Sequence, residues 1–326
     1  MNSFNTIFNI QIFGASHGPV VGITLDHVPA GIPLETADFL PDLERRKGGQ
    51  KGGTPRVEAD IPQIVSGHFN GYTTGAPLTI LFENQNIRSE DYQKQRAFFR
   101  PGHADFVAQE KFKGFEDFRG GGHFSARLTT GIVAAGVIAK KILPQITIEA
   151  LVTEVGGEKD IEKGLQKAIT AKDSAGGLIS CTIQHVPIGW GEPFWDSVES
   201  RMAQAMFSIP AVKGVEFGAG FAAARMFGTE HNDVYIGAQG RTATNHAGGV
   251  IGGITNGNDI VFRIALKPTA STPKEQQSYN RETGQVAPYS VKGRHDLCVA
   301  LRAPVIVEAM AALVLVDLMM LHKARN

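Results

Sequence analysis

The sequence has few of the features that mark secreted, metal-binding or membrane-spanning proteins. Of its 326 residues only two are cysteines, Cys181 and Cys298, and neither lies in a Cys-x-x-Cys or Cys/His spacing. We therefore expect neither a disulfide framework nor a bound metal. The first ten residues contain no Lys or Arg, so they lack the positive region of a signal peptide. These absences predict a cytoplasmic protein.

An excess of charge of one sign is lacking too. Lys and Arg together number 32, as do Asp and Glu, so no protein-wide field favours nucleic acid or an anionic membrane, and any cationic site must be local. Long uninterrupted apolar runs are also missing. Glu308 and Asp317 interrupt the apolar stretch at residues 305–321, which predicts a buried helix and not a membrane span.

Glycine, by contrast, is abundant, with 38 residues, and one glycine cluster opens the most informative stretch. Residues 119–144 read RGGGHFSARLTTGIVAAGVIAKKILP. Three glycines bend the backbone and expose amide N–H groups, and Ser125 occupies a helix N-cap position before an apolar helix. Free amides, a helix N-terminus and the side chains of Arg119 and Arg127 favour an anion such as phosphate. A flexible turn before a core helix is the alternative, and the motif alone does not exclude it.

Two histidines are predicted to lie on tight turns, one at the end of a strand and the other before a short helix. The turn GASHGP presents Ser16 and His17, and the segment FRPGHADF presents Arg100 and His103. Histidine is the side chain best suited to proton transfer near neutral pH. For either histidine alone, a turn position without a catalytic role is the commoner case.

Three more segments carry local charge. The loop RRKGGQKGGTPR at residues 45–56 interleaves cations with four glycines and suits closure over a multiply charged anion, although a solvated charge run is the usual explanation of such a cluster. Lys267 begins the segment KPTAST, a candidate phosphate cradle after a predicted strand. Arg294, His295 and Asp296 precede the last helix, where a cation and a carboxylate could form either a site or a local ion pair.

The hydrophobic pattern predicts a mixture of strands and helices without repeats. Strands are predicted over residues 7–13, 20–28, 61–66, 78–82, 145–155, 178–186, 215–217 and 259–266, and helices over residues 35–46, 104–112, 160–171 and 195–206. The segment GAGFAA at residues 218–223 matches a dinucleotide-binding fingerprint, but no βαβ unit with a suitably placed acid follows it. We therefore reject a Rossmann site.

Together these motifs resemble those of the chorismate synthase family. The matching segments, in the family's order and over nearly the whole chain, are FGASHG with VGITLDHVPAGIPL, RPGHADF, RGGGHFSAR, SIPAVKG, NHAGGVIGG, LKPTAST and GRHDLCVALRA. The resemblance implies an α+β fold, a β-α-β sandwich in which helices are layered between two antiparallel sheets. It also implies a single domain over residues 1–326 and a homotetramer.

The activity that the resemblance implies is the anti-1,4-elimination of phosphate from 5-enolpyruvylshikimate 3-phosphate to give chorismate. The family requires reduced FMN although the reaction has no net redox change. A substrate with two carboxylates and a phosphate, next to a phosphate-bearing cofactor, would explain local cations in a chain without net charge. Two other classes stay open: a flavoprotein with a different phosphate elimination or a reduction, and an idle relative that only binds such ligands. The intact His17, His103 and Asp296 argue against idleness.

Residue roles follow from the resemblance by motif position. His17 would protonate the leaving phosphate, His103 would protonate or stabilise the reduced flavin, and Asp296 would help to remove the substrate proton, with Ser16 and Ser125 as relays. Arg46, Arg100, Arg127 and Arg294 would bind the substrate anions. The FMN positions would be His123, Phe124, Ser125, Pro210, Ala211, Gly252, Lys267, Pro268, Thr269, Ala270, Ser271 and Arg294.

The resemblance also bears on the source of reduced flavin. Arg46 matches a loop arginine that is described in the family as an NADPH site, so NADPH is a candidate reductant. We favour the form that depends on an external flavin reductase. The sequence departs from the family at His123 and Phe124, where the commonest version has Arg-Ser, which implies ring stacking at that flavin contact. Another cationic position of the family is either filled by Lys51 or shifted by a short gap, and the chain is short around residues 157–175.

Overall fold

The computed structural model describes residues 2–86, 96–291 and 295–326. The strands are β1 Ser3–Phe4, β2 Ile10–Gly14, β3 Val20–Leu25, β4 Gln63–Ser66, β5 His68–Phe69, β6 Tyr72–Thr73, β7 Leu78–Glu83, β8 Thr147–Val155, β9 Gly177–Gln184, β10 Val212–Phe217, β11 Val250–Ile251, β12 Ile254–Thr255, β13 Ile260–Leu266, β14 Gln276–Asn280 and β15 Gln285–Tyr289. The helices are α1 Thr36–Arg46, α2 Asp105–Phe112, α3 Thr129–Ile142, α4 Ile161–Ala171, α5 Val198–Ser208, α6 Gly228–His231 and α7 Pro304–Arg325.

Two antiparallel sheets form the outer layers. One has five strands in the order β1-β2-β3-β7-β4, and the other has four in the order β10-β13-β9-β8. Residues alternate between the two faces of a strand, so one face of each sheet can be apolar. In β7, Leu78, Ile80 and Phe82 are fully buried while their neighbours are less so. Each sheet therefore presents an apolar face to the interior.

Two apolar helices fill the space between the sheets. Helix α3 packs against α7 and contacts β3 and β7, while α7 contacts β8 and β9. The helices approach closely because Gly136 has no side chain: a Cβ there would overlap the Cβ and Cα atoms of Ala309. The buried residues of both sheets and both helices form one continuous core. The predicted β-α-β sandwich is confirmed.

The last helix carries two charges into that core. Glu308 accepts hydrogen bonds from Arg45 at 2.8 and 2.6 Å, and Asp317 accepts one from Arg201 at 2.6 Å. Both carboxylates are thus buried with partners, as buried charges require. By length and composition α7 could cross a membrane, but 89% of its most apolar window is buried inside the protein. Helix α7 is therefore a buried core helix, as predicted from the two acids that interrupt its apolar sequence.

One local detail differs from the sequence-based expectations. Ser125 does act as a cap, since its Oγ accepts a hydrogen bond from the Arg127 N–H at 3.3 Å, but it caps a 3-10 turn that precedes α3. Helix α1 is continuous although it contains Pro41. The segment GAGFAA leads into a 3-10 helix and not an α-helix, which agrees with rejecting a dinucleotide site.

Candidate active site

The turns at one end of the sandwich surround a cavity of about 510 Å³. Its walls come from segments far apart in sequence: the β2–β3 turn, the loop after α1, the start of α2, the glycine turn before α3, the turn before β10, the end of β13 and the segment before α7. These are the segments in which the sequence analysis found its motifs. The fold therefore brings distant motifs to one cavity.

The glycine turn packs against the turn that carries His17. Gly120, Gly121 and Gly122 all have positive φ, at +59°, +80° and +54°, a conformation that glycine adopts at little cost. A Cβ on Gly120 would overlap the imidazole of His17, and the Gly122 carbonyl accepts a hydrogen bond from the Ser16 N–H at 3.0 Å. Ser16, Gly120 and Gly121 line the cavity, and His17, which is 5% exposed, lies behind them.

His103 lies in the cavity wall itself. Its Nε2 is 2.7 Å from the Ser271 Oγ, which links the turn before α2 to the KPTAST segment. Burial, followed by the nearby Arg100 guanidinium, lowers the pKa of His103 to about 3. The imidazole is therefore neutral at physiological pH.

The three described arginines predicted to bind substrate, Arg46, Arg100 and Arg127, are all at least nine-tenths buried and all line the cavity. Asp60 accepts hydrogen bonds from two of them, from Arg46 Nη2 at 2.8 Å and from Arg127 Nη1. Burial alone would raise the pKa of Asp60, but these two guanidiniums outweigh it and hold that pKa below its usual value. Arg100 pairs bidentately with Asp105, at 2.8 and 2.7 Å.

Cations nevertheless exceed acids around the cavity. Burial, opposed by Asp60 and reinforced by Arg302 and Arg127, lowers the pKa of Arg46 to about 10, so this side chain stays charged at neutral pH. Among the residues that the structure describes, the lining contains nine Lys or Arg side chains against six Asp or Glu. The cations are Arg46, Lys47, Arg56, Arg96, Arg100, Arg127, Lys267, Arg281 and Arg302, and the acids are Glu58, Asp60, Asp105, Glu116, Asp117 and Asp296. A bound polyanion would balance this surplus.

Asp296 is held in the wall by the loop at residues 45–56 and by Arg302. Its Oδ1 accepts hydrogen bonds from the Thr54 N–H at 2.9 Å and from Arg302 Nε at 2.9 Å, and its Oδ2 accepts one from Arg302 Nη2 at 2.8 Å. The Gly52 carbonyl accepts the N–H groups of the two residues at 297 and 298. The cationic loop is thus docked on the segment before α7.

The predicted flavin positions mostly converge on the cavity. His123, Phe124, Ser125, Pro210, Ala211, Lys267, Pro268, Thr269, Ala270 and Ser271 line it. The rings of His123 and Phe124 have centroids 4.3 Å apart, and Phe112 contacts His123 edge-on at 5.3 Å. Gly252 does not line it; it turns the β11–β12 hairpin, and a Cβ there would meet no atom within 4 Å. Arg294 lies outside the described residues.

Two buried polar atoms suit this cavity to a ligand with hydrogen-bonding groups. The Arg46 Nε and the Thr269 Oγ1 are buried without a hydrogen-bond partner among the residues that the structure describes. Such groups are costly unless a ligand or water satisfies them. His123 and Phe124 form an aromatic wall of the cavity, and the Lys267 Nζ there donates a hydrogen bond to the Gly102 carbonyl at 2.8 Å. The residues present therefore fit a phosphate-bearing aromatic cofactor such as FMN.

Sequence reasoning missed three residues that organise the site. Arg56 donates to the Ser16 Oγ at 2.9 Å and to the Ser16 carbonyl at 3.2 Å, and its only sequence signal was membership of the cationic loop. Asp60 stands in a stretch without a local pattern, and Arg302 lies in the segment GRHDLCVALRA, from which no role was assigned to it. Lys51, expected to supply a cation, instead pairs with Glu162 on α4.

A cationic cavity with an imidazole and a carboxylate in its wall defines an enzyme that acts on a small polyanionic substrate. Comparison with known proteins identifies which one. The family model for chorismate synthase matches residues 8–320. The chorismate synthase of Chitinophaga pinensis is 64% identical over 327 residues, which cover 100% of this chain and 98% of that relative. The chorismate synthase of Cytophaga hutchinsonii is 44% identical over 356 residues, covering 99% and 98% of the two chains.

A solved structure agrees with these sequence matches. A crystal structure of a chorismate synthase shares 27% identity and a TM-score of 0.73, covering 95% of this chain and 91% of that one. The chain belongs to the chorismate synthase family. It is a carbon–oxygen lyase of aromatic amino acid biosynthesis that forms chorismate in the shikimate pathway, and its family uses reduced FMN.

Proposed function

We propose that this cavity holds 5-enolpyruvylshikimate 3-phosphate beside reduced FMN, and that the residues meeting there perform the elimination. One observation carries the proposal: the turn with His17, His103 and Asp296 all lie at the same cavity, whose lining has more cations than acids. Reduced FMN, when bound, supplies electron density to the substrate as phosphate leaves. The remaining work falls to the side chains of this chain.

Binding of the substrate anions is assigned to Arg46, Arg100 and Arg127. Each is buried and charged, and each already has a carboxylate partner that fixes its guanidinium. A fixed guanidinium loses little conformational entropy when an anion arrives and can bind it bidentately. Arg294 lies outside the described residues, so its proposed role in binding the substrate rests on the motif alone.

Proton transfers are assigned to three groups. His17, with Ser16 in front of it, donates the proton to the departing phosphate, and Asp296 accepts the proton that the substrate loses. His103 lies among the proposed flavin positions, where its contact with Ser271 fixes one ring nitrogen; we assign it to stabilising the reduced flavin. Ser125, which caps the turn before α3 from the cavity wall, is proposed as a relay.

FMN would be held by the aromatic wall and by the segment at residues 267–271. His123 and Phe124 offer ring faces, and Lys267 and Thr269 offer donors for a phosphate or for ribityl oxygens. Pro210 and Ala211 complete this wall; the Ala211 carbonyl accepts the Lys267 N–H at 2.9 Å. Gly252 could join the flavin site only from a second copy of the chain, because in its own chain it lies away from the cavity.

The assembly and its surroundings are proposed as follows. We propose a homotetramer of single-domain chains, supported by the continuous core and by large exposed apolar side chains such as Phe194 and Trp195, which are 84% and 90% exposed. A cytoplasmic location is consistent with two buried, unbridged cysteines. We also propose that an external reductase supplies reduced flavin. Arg46, the matched NADPH position, is buried and bonded to Asp60.

An anaerobic assay with photoreduced FMN tests the proposal. Stoichiometric release of phosphate and appearance of chorismate absorbance, with flavin not consumed, are expected. Flavin consumed in proportion to product would instead indicate a reductase. Purified protein with FMN should not oxidise NADPH faster than a protein-free control; rapid oxidation would show that the chain reduces its own flavin.

A further inference from the structure

The side chain proposed to accept the substrate proton is bound to an arginine on both of its oxygens. Arg302 Nε lies 2.9 Å from Asp296 Oδ1, and Arg302 Nη2 lies 2.8 Å from Asp296 Oδ2. The side chains are 15% and 10% exposed, and both residues line the cavity. A fork of this kind fixes the plane of the carboxylate as well as its charge.

The two oxygens of Asp296 are not equivalent. Oδ1 also accepts the Thr54 N–H at 2.9 Å, so from residues 2–86, 96–291 and 295–326 it accepts two hydrogen bonds where Oδ2 accepts one. An ionised carboxylate has about four lone-pair sites. Oδ2 therefore keeps the larger remaining capacity to accept a proton or hydrogen bond from a ligand.

Arg302 is itself well anchored. It ends the 3-10 turn Val299–Arg302, directly before α7, whose first fourteen residues after Pro304 are buried in the core. The guanidinium thus connects the rigid middle layer of the sandwich to the carboxylate in the cavity. Positioning of a catalytic group by a side chain on a rigid element is worth large factors in rate, because small displacements are costly.

We propose that Arg302 is a positioning residue for the reaction: it orients the Asp296 carboxylate so that Oδ2 faces the substrate, and it does not itself bind the substrate. This inference rests on the proton-accepting role proposed for Asp296. Two of its donor atoms, Nε and Nη2, are already used by Asp296, which is why we assign it to the carboxylate and not to the substrate anions.

The test compares Arg302→Gln, Arg302→Lys, Asp296→Asn and the double variant, with Arg325→Gln as a control that breaks an ion pair with Glu192 away from the cavity. We expect Arg302→Gln to lower kcat about 10²-fold and Arg302→Lys, which keeps the charge but loses the fork, about 10-fold. KM should change less than about threefold. The Kd of the substrate, measured by calorimetry with flavin-free protein, should also change less than about threefold. Arg325→Gln should behave as wild type.

The double variant is the decisive comparison. If Arg302 acts through Asp296, then Arg302→Gln should slow the Asp296→Asn enzyme no further, since the group being positioned is already lost. Additive losses would overturn the inference, and so would a loss of substrate affinity as large as the loss of kcat. If Arg302→Gln does not fold, the Arg302→Lys result decides.

Failure of the inference and failure of the proposed function are separable. An Asp296→Asn enzyme with full turnover would remove Asp296 from its proposed role and Arg302 with it. An inactive Asp296→Asn enzyme beside a fully active Arg302→Gln enzyme would overturn the positioning role alone.

Discussion

The backbone of Gly120 lies directly against the imidazole of His17. A Cβ on Gly120 would overlap the Nδ1 and Cε1 atoms of the ring and would come within 3.0 Å of the Ser16 Oγ. Gly120 also has a positive φ of +59°. The first glycine of the RGGG motif is therefore required both by its backbone conformation and by the histidine that it supports.

Gly120→Ala should consequently lower turnover by about 10² or more, because His17 must move from its position. The matched control is Gly71→Ala: Gly71 also has a positive φ, at +80°, but a Cβ there meets no atom within 4 Å. The control should lose about 1 kcal/mol of stability from the left-handed backbone and keep its turnover. Turnover and unfolding midpoints of both variants check this. Wild-type turnover in Gly120→Ala would contradict the role of the contact.

Replacing either proposed catalytic histidine should also lower turnover. His17→Ala and His103→Ala are each expected to cost a factor of roughly 10² or more, as the loss of a general acid or base does, while the fold is retained. His27→Ala, which replaces an exposed histidine in the bend after β3, is the control. Steady-state kinetics with photoreduced FMN and a circular dichroism spectrum measure both effects. A histidine whose variant keeps near-normal turnover has no such role.

The sequence predicted the turns and several strands well because their determinants are local, whereas the β-α-β sandwich was implied by the family resemblance. Glycines at positive φ, a proline or serine at a helix start, and histidines between glycines mark turns at strand ends. The strands predicted over residues 145–155 and 259–266 correspond to β8 and β13 with ends shifted by one or two residues. The convergence of the turns on one cavity came from the family resemblance, since no spacing in the sequence encodes it.

Long-range ion pairs could not be predicted in the same way. Asp60 pairs with Arg46 and Arg127, which lie 14 and 67 positions away in the sequence. The stretch VEAD gives no sign that the Asp60 carboxylate joins two arginines. Lys51 was expected to supply a cation by its position in the loop, but its pairing with Glu162 depends on where α4 packs. Such partners become visible only when the fold has set the distances.

The shared carboxylate of Asp60 makes a strong prediction about stability. Asp60→Asn leaves Arg46 and Arg127 buried without their carboxylate, and removing one partner of a buried ion pair typically costs about 3–5 kcal/mol. Added inorganic phosphate should restore part of that loss, because an anion in the cavity can replace the missing charge. Denaturant unfolding with and without phosphate measures both effects.

Asp42→Asn is the matched control for that experiment. Asp42 is also shared by two cations, Arg45 at 3.1 Å and Lys140 at 2.8 Å, but it lies outside the cavity. We expect its loss to be smaller than that of Asp60→Asn and unaffected by phosphate. An equal response of both variants to phosphate would show that the anion acts elsewhere on the protein.

The neutral state of His103 predicts how stability depends on pH. Its folded pKa of about 3 lies below the ordinary value of 6.5, so between these two values the unfolded chain binds a proton that the folded protein does not. Stability from this residue is therefore fully present above about pH 6.5 and is lost as the pH falls toward 3.

His103→Asn keeps a polar side chain beside Ser271 but does not titrate. Between pH 7 and pH 4.5 the wild-type protein should lose roughly 1–3 kcal/mol more than this variant, measured by denaturant unfolding. Parallel pH profiles would mean that His103 titrates alike in both states. Bound phosphate should reduce the difference, since an anion near the imidazole favours its protonated form.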